Sequence, residues 1–420
     1  MIKHKKQVMF VEGGTPLSGT VSSSGAKNAT LPILAACILT NGSFSLTNIP
    51  NLADIHVMVS MLNELGVGAT FTNNTVHINN TSQLHHTAPY HLVTAMRASF
   101  FVAGPLLAKT GHACVPLPGG CAIGTRPIDI HLDGFKKLGA TIHIDHGNVS
   151  LSANTLRAAN IHLAYPSVGA TENILMAACL AEGTSYISNA AQEPEVTDLC
   201  YFLNKAGAKI SGINSSCLTI EGVRSLKGLD YNIIPDRIEI GTLMLATLMT
   251  KGSIHIKNVV EKHLSSLITV LKQMGAAIKL KQDSLFIEYK NPLTSNNIET
   301  HPFPGFPTDM QAQMMALFSV INGTSSITET VFENRFQQAQ ELKRMGAEIR
   351  ILKDHAIIQG IEQLSSAEVK MSDLRAGAAL VNAALVAKGT STLFNLYHLQ
   401  RGYECYWEKL NALGAKIRVN

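Results

Sequence analysis

Residues 252–276 read GSIHIKNVVEKHLSSLITVLKQMGA, and this stretch carries the grammar of the whole chain. It opens on a glycine, passes through a β-rich run and an amphipathic segment, and closes on Met274-Gly275-Ala276. Alternation with period two predicts a strand, and the helical period that follows predicts a helix that glycine stops. Both ends recur. Leu, Met or Ala followed by Gly and then Ala or Val stands at Gly66, Gly139, Gly207, Gly275, Gly346 and Gly414. Glycine followed by a β-rich run stands at Gly42, Gly111, Gly183, Gly252, Gly323 and Gly389. The recurrence, roughly 70 residues, is too long for common solenoids and suits a compact α/β unit. Each unit reads as helix, glycine stop, strand, loop, helix, Gly-Ala turn and hairpin, as in KISGINSSCLTIEG at 209–222. Six units predict two similar α/β domains of three units each, with a cleft between them.

The bulk composition agrees with a well-buried globular chain. It has 420 residues, 46% of them hydrophobic and 15% charged, which is too long for one core and lacks disordered tracts. A net charge of +4 does not describe a polycation built for nucleic acid, though it permits a local cationic site for a small acid. MIKHKKQ is basic but no apolar h-region follows, and the longest apolar run, Leu31 to Leu39, is too short to span a bilayer. Seven cysteines without a CxxC pair point to a reducing compartment. The expectation is a soluble cytoplasmic protein without a membrane segment.

The starts of the first helices are more informative. About 14 residues before each strand-opening glycine lie Lys27-Asn28, Arg97, Gly169 in SVGAT, Arg237, Asp309 and Arg375. Lysine and arginine there oppose the helix dipole, so helix stability does not explain them and an anionic ligand does. SSSGAKNATLPIL (22–34) superficially suggests a phosphate loop, but Ala26 separates Gly25 from Lys27, and Asn28 replaces the hydroxyl. Locally it reads as a serine cap with a solvated lysine, before a helix with Leu31, Leu34, Ala35 and Ile38 on one face.

PLPGGCAIGTRPIDIH (116–131) puts a lone thiol, Cys121, in a glycine-rich loop five residues before Arg126. Pro127 suits a first helical position, Ile128, Leu132, Phe135 and Leu138 a buried face, and Asp129 the first-turn dipole. Arg335 and Arg401 each lie twelve residues after their unit's glycine, whereas Arg126 lies fifteen after Gly111. The Cys121 loop is therefore an insertion of about three residues, and insertions on one repeat commonly carry function. Thr308-Asp309-Met310-Gln311 fits a capping box, with a general base as the other reading of Asp309. His85-His86 and His143/His146 lack metal-site spacing and read as surface residues. Trp407 and the remaining cysteines (Cys37, Cys114, Cys179, Cys200, Cys217, Cys405) read as core.

Taken in order, SGAKN, PGGC-x-IG-x-RP, SVGAT, PDRIE, FPTDMQAQ, ENRF, DLRA and RGYE resemble the UDP-N-acetylglucosamine 1-carboxyvinyltransferases, the MurA-type enolpyruvyl transferases of the EPSP synthase-like family. The resemblance runs from about Gly13 to the end of the sequence. The sister enzymes acting on shikimate 3-phosphate carry a GSKS-type loop and lack the cysteine loop, so they fit less well. The resemblance implies a two-domain inside-out α/β barrel of six βαβαββ-type repeats. Residues 22–234 would form one domain, with Lys27, Arg97 and the Cys121 loop. Residues 1–21 and 235–420 would form the other, with Asp309, Arg335, Arg375 and Arg401. The implied reaction moves enolpyruvate from phosphoenolpyruvate to the 3′-hydroxyl of UDP-N-acetylglucosamine, the first step of peptidoglycan synthesis, with no cofactor and no metal.

By the same resemblance, Lys27, Arg126 and Arg401 would hold phosphoenolpyruvate. Asn28, Arg97, Arg126, Pro127, Ile128, Asp129, Ile130, Ser167, Val168, Gly169, Asp309 and Val331 would line the UDP-sugar site. Asp309 would be the base, Arg335 would bind substrate, and Arg375 with Asp373 would support the cleft. Cys121 would be the proton donor, open to alkylation by fosfomycin. Tyr165-Pro166 departs from members that place a lysine before SVGAT. A monomer is expected. Two other readings compete: a nucleic-acid module, against which modest charge and absent basic-aromatic clusters count, and a silent sensor of UDP-sugars, against which the intact Cys121, Lys27, Asp309 and Arg401 count.

Overall fold

The computed structural model describes residues 7–80, 83–117 and 128–420. Cys121, Arg126 and Pro127 lie outside them. The chain divides into two compact units. One takes the described residues up to Ser24 together with Pro235–Asn420, and the other takes the described residues between Gly25 and Ile234.

The Gly-Ala signature has one structural meaning. Gly66, Gly139, Gly207, Gly275, Gly346 and Gly414 all have φ between 91° and 107°. That left-handed conformation is unfavourable for a residue with a Cβ and is where helices end in the Schellman motif. In each case the residue after the glycine donates its N–H back into the last helical turn, as Ala276 does to Leu271 O and Ala347 to Leu342 O. The chain thus leaves each helix in a fixed direction and enters a strand.

Among the described residues, five of the six sheets are built on one order, and the sixth keeps its three antiparallel strands. Asn160–His162 runs parallel to Thr184–Ser188, which pairs antiparallel with Cys217–Glu221, which pairs antiparallel with Lys209–Ser211. The hairpin read from 209–222 is present. The same order holds for Asn297–Glu299, Thr324–Thr328, His355–Gln359 and Glu348–Leu352. It holds again for Ser18–Ser22, Ser253–Lys257, Ser284–Glu288 and Ala277–Lys281. In one sheet the inner hairpin position is taken by Met9–Glu12, which sits between Thr390–Phe394 and Lys416–Val419.

Within these layers the first helix of each repeat is the core. Arg237–Met249 and Gln311–Phe318 are buried at every position, and Leu374–Ala384 at nearly every one. Lys27–Ala36 is likewise buried on all sides, including Pro32, which corrects the expectation of a single apolar face. A helix enclosed by other elements needs apolar residues all round. The second helices, such as Pro194–Lys205 and Ser265–Gln273, keep a polar face. No described helix is long and apolar enough to cross a membrane.

The cysteine expectation holds in part. Cys37, Cys179 and Cys200 are buried, but Cys114 is half-buried and Cys217 and Cys405 are exposed. Cys217 falls on the outward face of an alternating strand, and Cys405 precedes its helix at φ 48°. Trp407 is partly buried against the core.

Candidate active site

The charged residues that open the first helices divide between the two units. In the unit built from Gly25 onward, Lys27 is the first residue of its helix, capped by no side chain. It is 7% exposed, and its Nζ lies 3.4 Å from Asp54 Oδ2. The local reading of a solvated lysine under a serine cap is therefore corrected: this ammonium is buried and held by a carboxylate. Asp54, which the sequence analysis did not single out, sits in the first turn of Ala53–Glu64, where an acid also complements the helix dipole.

Arg97 opens the 3₁₀ turn Arg97–Val102, and Ser167 caps Val168–Ala178 by accepting from Ala170 N at 3.4 Å. His131, which sequence reasoning passed over, links these parts. A Cβ on Gly169 would stand 3.4 Å from His131 Cε1, so the turn lies in van der Waals reach of the ring. Asn173 Nδ2 lies 3.3 Å from His131 Nδ1, and Phe100 meets the ring edge-on at 5.3 Å. Desolvation, and then the charge of Arg97, pushes the imidazole down to about 3. A neutral ring with Nδ1 accepting carries its proton on Nε2. Asp129 is exposed, Ile130 half-buried and Ile128 9% exposed beside this turn. Tyr165 is 39% exposed, and its carbonyl accepts from Ser167 N at 2.7 Å.

The second unit holds the most sharply built group. Asp309 Oδ1 receives Arg335 Nη2 at 2.6 Å, and Oδ2 receives Arg375 Nη2 at 2.8 Å and Nε at 3.2 Å. Both arginines are nearly buried, at 6% and 3%, while the Asp309 side chain keeps 26% exposure. Desolvation pushes the Asp309 carboxyl up, but the charges of Arg375 and Arg335 outweigh it and hold the group well below the usual carboxylate range.

A second carboxylate, also missed in the sequence, fixes the approach to Asp309. Glu329, 3% exposed, accepts from Thr300 Oγ1, Val331 N and Phe332 N through Oε1, and from Thr308 Oγ1 at 2.8 Å through Oε2. Thr308 in turn accepts from Arg335 Nη1 at 3.1 Å. Its hydroxyl is spent on Glu329, so the expected capping box does not form, and Thr308–Met310 is a 3₁₀ turn with no side-chain cap.

Asp373 caps the helix carrying Arg375, accepting from Arg375 N at 2.8 Å and Ala376 N at 3.0 Å. The Arg375 guanidinium lies over the Tyr403 ring at 5.3 Å, and Arg335 over Phe332 at 5.2 Å. Tyr403 meets Thr242 and Gln313 at 3.1 and 3.0 Å, tying all three core helices of this unit to the arginine. Arg401 follows Tyr397–Gln400 and is half-buried.

Buried cations at helix starts and a carboxylate forked between two guanidiniums are the charged features the two units present. The profile described as EPSP synthase (3-phosphoshikimate 1-carboxyvinyltransferase) matches residues 11–410, and the chain belongs to this family. It is 51% identical over 409 residues to UDP-N-acetylglucosamine 1-carboxyvinyltransferase 2 of Carboxydothermus hydrogenoformans, covering 97% of this chain and 98% of that protein. It is also 51% identical to UDP-N-acetylglucosamine 1-carboxyvinyltransferase 1 of Caldanaerobacter subterraneus, over 98% of this chain and 99% of that one. Among solved structures, the enolpyruvyl transferase NikO from Streptomyces tendae matches with a TM-score of 0.89 at 25% identity, over 99% of both chains. EPSP synthase from Acinetobacter baumannii shares the fold, with a TM-score of 0.79 at 18% identity over 99% of this chain and 100% of that one.

Proposed function

We propose that this chain transfers the enolpyruvyl group of phosphoenolpyruvate to the 3′-hydroxyl of UDP-N-acetylglucosamine and releases phosphate, the first committed step of peptidoglycan synthesis. The observation that carries the reading is 51% identity, essentially end to end, to relatives named for that activity. The arrangement proposed for the chain is the six-repeat inside-out barrel, with residues 22–234 in one domain and 1–21 with 235–420 in the other. Recurrence of one strand order and six equivalent helix stops support it. A monomer working in the cytoplasm is part of the same reading.

The chemistry assigns work to each group. Phosphoenolpyruvate becomes electrophilic at C2 when its methylene carbon is protonated, and Cys121 is the donor we propose. A free thiol, with a pKa of about 8.5, can give and regain a proton near neutrality. The 3′-hydroxyl oxygen then bonds to C2 and its proton passes to Asp309. Loss of phosphate together with a proton of the new methyl group restores the double bond. Lys27, Arg126 and Arg401 neutralise the leaving phosphate, and burial of Lys27 strengthens its part. Arg335 and Arg375 meet the substrate beside Asp309, with Asp373 fixing the Arg375 helix. Asn28, Arg97, the segment 126–130, Ser167 to Gly169 and Val331 line the sugar-nucleotide side, where His131 supports the Gly169 turn.

The test is phosphate release from phosphoenolpyruvate with UDP-N-acetylglucosamine, beside a parallel assay with shikimate 3-phosphate. Release with the sugar nucleotide alone is expected, and Cys121→Ala abolishes it. Release only with the shikimate ester defeats the assignment, and unchanged turnover in the alanine variant defeats the role of Cys121.

A further inference from the structure

Asp309 engages the donors that a small carboxylic acid would need. Arg375 turns its Nε and Nη2 edge to Asp309 Oδ2, and its Nη1 is fully buried. Arg335 gives Nη2 to Asp309 and Nη1 to Thr308. Both guanidiniums are almost inaccessible to solvent, and an anion that reaches the edges facing Asp309 meets donors already committed. The partly exposed member of the group is the carboxylate itself.

We infer that Asp309 is an internal stand-in for the substrate's carboxylate, and that an incoming carboxylate which takes over its arginine contacts turns Asp309 into an effective base. The inference rests on the function proposed above, with phosphoenolpyruvate as the incoming acid. Exchange of one carboxylate for another at a bidentate edge keeps the hydrogen-bond geometry, so it is a small perturbation of the arginines. The effect on Asp309 is large, because it loses the contacts that hold its proton affinity down.

Among the described residues, Asp309 pairs only with Arg335 and Arg375. Glu329, from the loop after Thr324–Thr328, is acidic and bound to Thr308 and backbone N–H groups. Asp373 is committed to its helix start. Asp236 adds negative charge toward Arg375, and the Tyr403 ring covers that guanidinium. These groups raise proton affinity at Asp309 once an arginine is drawn away. The base therefore comes into play when the acid substrate is in place, and reciprocity requires that neutralising Asp309 tighten carboxylate binding.

The test measures dissociation constants of phosphoenolpyruvate and of pyruvate by calorimetry, for the wild type and for Asp309→Asn, which keeps the shape and removes the charge. Loss of the competitor is expected to tighten both by about tenfold or more. Equal or weaker binding to the variant overturns the inference. Tightening of phosphoenolpyruvate and inorganic phosphate, but not pyruvate, also overturns it, because the seat is then one for phosphate. If the wild type binds and turns over phosphoenolpyruvate while Asp309→Asn binds no tighter, the proposed function stands and this inference falls. A crystal structure of the wild type with phosphoenolpyruvate decides independently of whether the variant folds. An Asp309–Arg375 separation beyond hydrogen-bond range supports the exchange, and retention of both contacts overturns it.

Discussion

Lys409 Nζ lies 2.5 Å from Glu239 Oε1, and the other carboxylate oxygen accepts from Ser24 N at 2.6 Å. Ser24 Oγ also receives Lys409 at 2.7 Å and donates to Glu404. This clasp holds the segment at Ser24, where the chain leaves its first unit, against the helix Arg237–Met249. Ser24 O accepts from Asp236 N at 2.9 Å, so the returning segment is pinned at the same place.

Removing one partner strands a buried charge. Glu239 is 2% exposed, and burial raises its pKa even against the pull of Lys409. Lys409→Met is expected to destabilise the fold by about 3 kcal/mol or more at pH 7.5, read by denaturant unfolding. Without Lys409 the folded pKa climbs further above the unfolded value, so the variant recovers stability as pH falls. A loss of the same size at pH 5 and pH 7.5 contradicts this account.

Lys27 and Asp54 make the corresponding pair in the other unit, and there the effect is on rate. Lys27→Ala is expected to lower kcat/KM for phosphoenolpyruvate about a hundredfold or more, the scale for losing one preorganised charge donor at a leaving group. Lys27→Arg keeps the charge and loses less. Steady-state phosphate release, with circular dichroism to show an intact fold, checks it; a change under threefold removes Lys27 from the mechanism.

Glu172 is fully buried and neither carboxyl oxygen has a hydrogen-bond partner among the described residues. Burial, then Glu195 and Glu193, raises its pKa well above the ordinary value. A raised carboxyl pKa stabilises the folded state at low pH, and that stability is lost as pH rises toward the folded pKa. Glu172→Met, similar in volume and apolar, is expected to raise stability at pH 8 by about 1–3 kcal/mol. It also flattens the pH slope in thermal melts. A slope remains from Asp198, which burial lifts to about 6 even though it accepts from Tyr231 Oη. Destabilisation at pH 8 would mean that Glu172 has a partner worth keeping.

Fosfomycin provides a chemical check on the thiol. Incubation is expected to stop phosphate release and to add one inhibitor mass to the intact wild type, with Cys121→Ala taking up none. Full activity after incubation, or an adduct on exposed Cys217 or Cys405 instead, counts against Cys121.

What the sequence displays well is whatever local backbone chemistry enforces. A glycine held near φ 100° leaves the same trace wherever a helix must stop, so the Gly-Ala signature marks six real turns. Charge at a helix start is equally visible. Partners are not, because Asp54, Glu329 and Tyr403 gain their meaning from residues distant in the chain. Faces of strands and helices are lost for a related reason. Alternation shows that Cys217 and Leu218 point opposite ways, and only the packed sheet shows which way is in. Lys27–Ala36 looked one-sided because its small residues, Ala29, Thr30 and Ala36, read as neutral, whereas close packing against neighbours is what selects them.

The strand Met9–Glu12 has a consequence for how the molecule is made. Its neighbours in the sheet include Lys416, which reaches Glu12 from 404 positions away. The described residues between Gly25 and Ile234 fall in one unit, whereas its companion takes described residues from both sides of them. On the ribosome the inner unit can be finished while Met9–Glu12 still waits for strands not yet translated. Until then an apolar edge, with Met9 and Val11 destined for full burial, stays open to the wrong partner. Joining position 420 to position 8, which already exchange backbone hydrogen bonds, and cutting at an exposed turn would bring the strands around Met9–Glu12 together in sequence and remove that interval.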